Sequence, residues 1–249
     1  MTQMLASVTS VEEALLALEL GADIIDLKNP HDGALGALPL ATLASIVIAI
    51  DGRRTVSATI GDAPDDAARI AQKVVATAAT GVDIVKIGIA TNRSQLAFWQ
   101  GKADLAGPRP ATGAGPEPAS TRLVAVLFAD KAFDLAWIDA LAERGFYGVM
   151  LDTADKRAGG LRSHCDDAQL RNFVQRAHSK HLMCGLAGSL RLDDIAPLLA
   201  LSPDYLGFRG ALCRNTSRTD QLDADAFRAV RARIFDLDAT SEPFASSVA

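Results

Sequence analysis

Eight short apolar runs, each followed by a segment of helical spacing or a connecting stretch, constrain this chain more than any other feature. The runs are Met4–Val8, Asp23–Lys28, Thr55–Ile60, Asp83–Ile89, Leu123–Phe128, Gly148–Asp152, Leu182–Ala187 and Tyr205–Arg209. Segments such as Val11–Leu20, Asp65–Thr80, Asp134–Arg144, Asp166–Lys180 and Ala224–Phe235 place apolar residues three and four apart and begin near Ser or Asp residues suited to N-caps. In a chain of 249 residues this alternation predicts one α/β domain, a (β/α)8 or TIM barrel spanning residues 1–238. An open dinucleotide-binding sheet would need a glycine-rich turn after its first strand, and Val8-Thr9-Ser10-Val11 stands there instead.

A weak repeat supports the barrel. Gly21-Ala22-Asp23-Ile24-Ile25 and Gly81-Val82-Asp83-Ile84-Val85 share one form, and Ser202-Pro203-Asp204-Tyr205-Leu206 is a looser copy. Glycine suits the end of a helix and the acid a tight turn before the next strand. Residues 101–121, with Pro108, Pro110, Pro116 and Pro118 among Gly and Ala, read as an extended mobile linker, and residues 239–249 as a flexible tail. The linker should lie on the N-terminal face of the barrel, opposite the face that carries active sites in this fold.

A net charge of −5 excludes a non-specific nucleic-acid binder, and 49% hydrophobic residues supply a large core. An acidic chain that takes an anionic substrate must gather its positive charge in one place. The N-terminus lacks a basic leader, and Leu38–Ile50, the longest nearly apolar stretch, is too short to span a bilayer. Cys165, Cys184 and Cys213 form neither a metal pair nor an even disulfide set. These features predict a cytoplasmic protein with no membrane and no nucleic-acid partner.

Lysine is scarce, yet Lys28 and Lys86 fall in strongly apolar strands, Ile24-Ile25-Asp26-Leu27-Lys28 and Ile84-Val85-Lys86-Ile87. A buried ammonium needs a partner or a lowered pKa, and a neutral lysine amine can form a Schiff base with a carbonyl. Strand alternation puts Asp26 and Lys28 on one face, taken as the barrel interior. Asp152 ends the sixth run, where an acid reads as catalytic in this fold, and Lys156 follows in a loop that could return its amine to the mouth. A structural ion pair is the competing reading for a buried lysine, and a solvated surface lysine for Lys156. Gly188-Ser189 and Arg209-Gly210 end the seventh and eighth runs, where barrels often bind phosphate, with Arg209 as a bidentate partner. His178 and His181 lack a third ligand, so no metal site is predicted.

Gly21 to Pro30, with Asp32-Gly33-Ala34-Leu35-Gly36-Ala37 after it, resembles the (5-formylfuran-3-yl)methyl phosphate synthase family. Val56–Asp62, Asp83–Gly88, Met150–Ala154, Leu186–Ser189 and Gly207–Cys213 continue the resemblance in order along nearly the whole chain. The resemblance implies a cofactor-free lyase that joins two glyceraldehyde 3-phosphates, releasing phosphate and two waters, to make the furan precursor of methanofuran, a one-carbon carrier. It puts Lys28 in the place of the Schiff-base lysine and Asp26, Lys86, Asp152 and Lys156 in the family's other catalytic positions. The excess of arginine over lysine fits a GC-rich methylotrophic bacterium. The Pro-rich insertion and the shortened stretch after Cys213 depart from the family pattern.

An iminium on Lys28 would acidify the neighbouring C–H, Asp152 or Asp26 would move the proton, and aldol addition, elimination and cyclisation would follow. Two other readings remain open. One is a different Schiff-base aldolase acting on triose phosphates, and the other is a non-catalytic phosphometabolite binder. The partner is in each case a small molecule, and the sequence is compatible with a homo-oligomer without setting its order.

Overall fold

The computed structural model describes residues 1–61, 66–89, 120–131 and 133–240. Eight parallel strands close into a barrel in sequence order: β1 Gln3–Val8, β2 Ile24–Leu27, β3 Thr55–Thr59, β4 Ile84–Gly88, β5 Arg122–Phe128, β6 Gly148–Asp152, β7 Met183–Leu186 and β8 Tyr205–Phe208. The described helices are α1 Val11–Glu19, α2 Leu40–Ile50, α3 Ala67–Ala78, α4 Ala136–Ala142, α5 Leu161–His164, α6 Asp167–Ser179, α7 Leu192–Leu199 and α8 Ala224–Thr240. Each expected strand is present within two residues of its expected ends. The expected linker lies outside the described residues except for Ser120 and Thr121, and α8 runs to Thr240, two residues into the expected tail.

Residue alternation along each strand builds two cores. Val85 and Ile87 of β4 face the surrounding helices, whereas Ile84 joins Leu5, Ile24, Val124, Met150 and Tyr205 inside the barrel. Helix caps fix where several helices start. Ser10 accepts from the Glu13 amide at 3.2 Å, Asp66 from Ala68 at 2.9 Å, and Asp166 forms a reciprocal box with Gln169. Each such cap contributes roughly 1 kcal/mol.

The repeat has a sharper role than a tight turn. Asp23 Oδ2 accepts the Met4 amide at 2.8 Å, Asp83 Oδ2 the Val56 amide at 2.8 Å, and Asp204 Oδ2 the Cys184 amide at 2.6 Å. Each aspartate at the start of an even strand thus satisfies an amide near the start of the preceding odd strand. Those amides lie at the N-terminal rim, where the ladder ends and would otherwise leave them unpaired. The repeat clamps the barrel floor, at the end opposite the mouth.

Part of that mouth is closed by the loop after β2. Leu35 packs inside the barrel, 2% exposed, and the Gly36 carbonyl accepts from Thr59 Oγ1 at 2.9 Å and from the Asn29 amide at 2.8 Å. A Cβ at residue 88 would stand 2.6 Å from Leu35 Cδ1, so Gly88 supplies the space the plug occupies. The open part of the mouth, as lined by described residues, belongs to β1, β2, β6, β7 and β8 and their loops.

Candidate active site

Two lysine–carboxylate pairs lie at different depths of the barrel. In the deeper one, Lys86 Nζ is 2.6 Å from Asp26 Oδ1, the two side chains being 2% and 0% exposed. Asp26 is flanked in register by Ser7 on β1 and Ser57 on β3. Neighbouring strands lie about 4.8 Å apart, close enough for both hydroxyls to reach the carboxylate. Ser7 Oγ donates at 3.0 Å and Ser57 Oγ at 2.7 Å. Burial alone would raise the Asp26 pKa, but the Lys86 and Lys28 charges and the hydrogen bonds from Lys86 and Ser57 outweigh it and hold the carboxyl below its ordinary value. Burial in turn pushes Lys86 below the usual lysine value, with Asp26 opposing it.

The upper pair faces the cavity. Asp152, ending β6, accepts the Thr153 amide at 2.7 Å and the Lys156 ammonium on the same oxygen, Oδ1. Lys156 also donates to Thr153 Oγ1 at 3.2 Å. The loop after β6 therefore does return Lys156 to the mouth. Burial would raise the Asp152 pKa, but Lys156 and Lys28 bring it down to about 2. Lys156 is lowered by burial, partly offset by Asp152. Asp152→Asn removes that offset, so Lys156 should lose its proton at a lower pH in the variant than in the parent protein. A chemical-shift titration of the lysine side chains measures the change, and an unmoved or higher midpoint would contradict this coupling.

Between the two pairs stands Lys28. Its amide extends the β1–β2 ladder, donating to Val8 O at 3.2 Å, and its side chain lines a cavity of about 670 Å³. Among the described residues its amine has neither a hydrogen bond nor an ion pair, although Asp26 and Asp152 both feel its charge. Asp152 and Lys156 line the same cavity, whereas Asp26 and Lys86 lie beneath it. The five residues expected to be catalytic are thus brought together as one open amine, one ion pair facing the cavity and one buried pair.

The four residues expected to bind an anion, Gly188, Ser189, Arg209 and Gly210, all line this cavity. Gly188 and Ser189 line the cavity with φ of 113° and 49°, and a Cβ at residue 188 would meet Thr153 Cγ2 at 3.0 Å. Among the described residues the amides of Gly188, Ser189 and Gly210 donate to no protein acceptor, which leaves them available to a phosphoryl oxygen. Arg209, expected to grip phosphate bidentately, is instead used up. Its Nε donates to Arg218 O at 2.9 Å. Nη1 donates to Ser7 O at 3.1 Å and to Glu13 Oε2 at 2.6 Å. Nη2 donates to Glu13 Oε1 at 3.2 Å and to Asp220 O at 2.7 Å. A guanidinium has five N–H groups, and all five are committed. This engagement depends on Glu13, a carboxylate on α1 that no strand-end pattern reveals.

Sequence reasoning also missed Ser7, Ser57 and Arg218. The two serines carried a signal, being hydroxyl residues within buried strands at the register of Asp26. Arg218 carried none, because it lies in the stretch that departs from the family pattern. Of the two histidines considered as metal ligands, His178 is exposed and 3.0 Å from Asp204. Among the described residues no group of three or more His, Cys, Asp or Glu could hold a metal ion, and no helix is long and apolar enough to cross a membrane. The three cysteines are free and buried.

The sequence model of the 4-HFC-P synthase family matches residues 4–231. A relative from Methylorubrum extorquens is 42% identical over 234 residues, covering 92% of each chain. A (5-formylfuran-3-yl)methyl phosphate synthase from Methanopyrus kandleri is 35% identical over 223 residues, covering 87% of this chain and 91% of its own. Among solved structures, phosphoribosyl anthranilate isomerase from Thermus thermophilus has a TM-score of 0.62 at 16% identity, covering 95% of this chain and 100% of its own. The 3-hexulose-6-phosphate synthase from Salmonella typhimurium has a TM-score of 0.59 at 15% identity, again covering 95% and 100%. At such identities the likeness to these structures concerns the barrel fold alone.

Proposed function

The chain belongs to the 4-HFC-P synthase family, and from that premise we propose that it is a (5-formylfuran-3-yl)methyl phosphate synthase working through a Schiff base on Lys28. The reaction takes two glyceraldehyde 3-phosphates to one phosphorylated formylfuran, one inorganic phosphate and two waters, which makes the enzyme a carbon–oxygen lyase. The observation that carries the reading is the amine of Lys28, open to the cavity between two lysine–carboxylate pairs.

Each residue has a part in that chemistry. The Lys28 amine adds to the aldehyde carbon of one triose phosphate and water departs, leaving an iminium. This cation is an electron sink that acidifies C2, and Asp152, ionised and facing the cavity, takes the proton. The electron pair moves to C1–C2 and then expels phosphate from C3, breaking the C–O bond. Lys156, held on Asp152, supplies positive charge or a proton to the departing oxygen. C3 of the resulting fragment adds to C2 of the second triose phosphate after its isomerisation to the ketone, and ring closure and aromatisation expel two waters. One water hydrolyses the iminium to release the furan aldehyde and the Lys28 amine, so the net loss is one phosphate and two waters. Asp26 is fully engaged below the cavity, so Asp152 is favoured over it as the base, and the Asp26–Lys86 pair supports Lys28 from beneath.

Incubation of the purified protein with glyceraldehyde 3-phosphate tests the reading. A furan ultraviolet band should grow with one phosphate released per furan. Carbon–carbon bond formation without phosphate release would instead mark a simple aldolase, and binding without turnover would mark a phosphometabolite binder.

A further inference from the structure

The saturation of Arg209 leaves a question of charge. A substrate that carries a phosphoryl group needs a cation beside the Gly188, Ser189 and Gly210 amides, and Arg209 has no N–H left to give. Two of its five bonds go to the backbone carbonyls of Arg218 and Asp220, in the loop that follows β8. Glu13 pins the same assembly from below, taking the Arg209 fork, the Thr9 amide at 2.8 Å and the Leu222 amide at 3.2 Å. The loop is therefore held to helix α1 and β1 through one buried guanidinium.

What this brace presents is Arg218. Its side chain lines the cavity with Lys28, Asp152 and Lys156. It is partly buried, and one N–H reaches across the mouth to Gly33 O at 2.8 Å in the loop after β2. Among the described residues the other four N–H groups of its fork have no protein acceptor. Its backbone amide also lies near Gly210, where an added Cβ would stand 3.9 Å from it. A planar fork with unused donors, beside unpaired loop amides and two lysines, is suited to a tetrahedral dianion.

We propose that Arg218 is the guanidinium that binds a phosphoryl group of the substrate, and that Arg209 is a positioning residue acting only through the Arg218 and Asp220 carbonyls. The proposal deepens the proposed function by assigning the cation of its phosphate site, and it rests on that reading only in taking the substrate to be a phosphate ester.

Titration with inorganic phosphate tests it without requiring the furan reaction. Arg218→Gln should weaken phosphate binding about ten- to a hundredfold, the scale of losing charged hydrogen bonds from a bidentate pair. Arg218→Lys, which keeps the charge and loses the fork, should fall between. Borohydride trapping of unphosphorylated glyceraldehyde should proceed normally in both variants, which also shows that they are folded. Arg209 is removed together with its partner, as Glu13→Gln/Arg209→Gln, to avoid leaving a buried charge. That pair should weaken phosphate binding in the parent protein and cost nothing further in the Arg218→Gln background. An unchanged phosphate affinity in Arg218→Gln, or no phosphate binding to the parent protein at tens of millimolar, would overturn the assignment. An additive loss would show that Arg209 touches phosphate itself and overturn its positioning role. Arg218-dependent phosphate binding in a protein that makes no furan would sink the proposed function and leave the anion site standing. Furan synthesis with phosphate affinity indifferent to residue 218 would do the reverse.

Discussion

Lys28→Arg is expected to reduce turnover by at least about 10³-fold, the scale seen when a covalent nucleophile is lost. The substitution keeps a positive charge at the cavity wall, but a guanidinium does not deprotonate and cannot form an imine. Phosphate binding should therefore survive while furan formation and borohydride trapping disappear. In the parent protein, reduction with substrate followed by peptide mapping should place the adduct on Lys28. Lys86 is a poor competitor because its nitrogen is buried on Asp26, and Lys156 is held on Asp152 and Thr153. An adduct on either of them would keep the reaction class and overturn the assignment of Lys28. Furan production with no adduct at any lysine would end the imine mechanism.

The second large effect is on stability. Asp26→Asn leaves Lys86, 2% exposed, without its counter-charge. Breaking a buried pair from one side typically costs about 3–5 kcal/mol. Urea denaturation at neutral pH measures it, and a loss within experimental error would show that Lys86 is neutral or has found another partner. Combining Asp26→Asn with Lys86→Met removes both charges and should recover much of the stability without restoring activity. The pH dependence has a definite sign. Because the folded state holds Asp26 below its ordinary value, the contribution is present above the unfolded carboxyl pKa of about 3.9 and is lost as pH falls through the lower folded value. The gap between parent and variant should accordingly close under acid conditions.

The serine hydroxyls give the same region its specificity. Ser7 and Ser57 bond the two oxygens of Asp26, so the carboxylate is held in one orientation beneath Lys28. A buried pair alone is weak grounds for stability, since well-packed apolar residues often do as well. Its retention here is consistent with a role at the site above it, which the stable, inactive double variant would display.

The strands and their ends were legible in the sequence because alternation and β-branched content are local properties. Asp26, Lys28, Lys86 and Asp152 stood out for the same reason, being charges within apolar strands. Helix α2 was harder to see. It was readable only as the apolar stretch Leu38–Ile50, because Ile48, 71% exposed, blurs the contrast with buried Leu43, Ile46, Val47 and Ile50. The aspartates of the repeat were visible as turn residues, yet their bonds to amides of the preceding strands depend on barrel register.

Local patterning was enough to specify the barrel and to single out Asp26, Lys28, Lys86, Asp152 and Lys156, though not Arg218. How those charges are shared out emerged only with the folded arrangement. Asp26 takes Lys86, Asp152 takes Lys156, and Lys28 is left with its amine on the cavity. The same closure committed Arg209 to Glu13, 196 residues away in the chain, and brought Arg218 to the same mouth. Periodicity reports which face a side chain occupies within its own element. Which of several opposite charges it meets depends on distances between elements far apart in sequence, and these exist only once the barrel has closed.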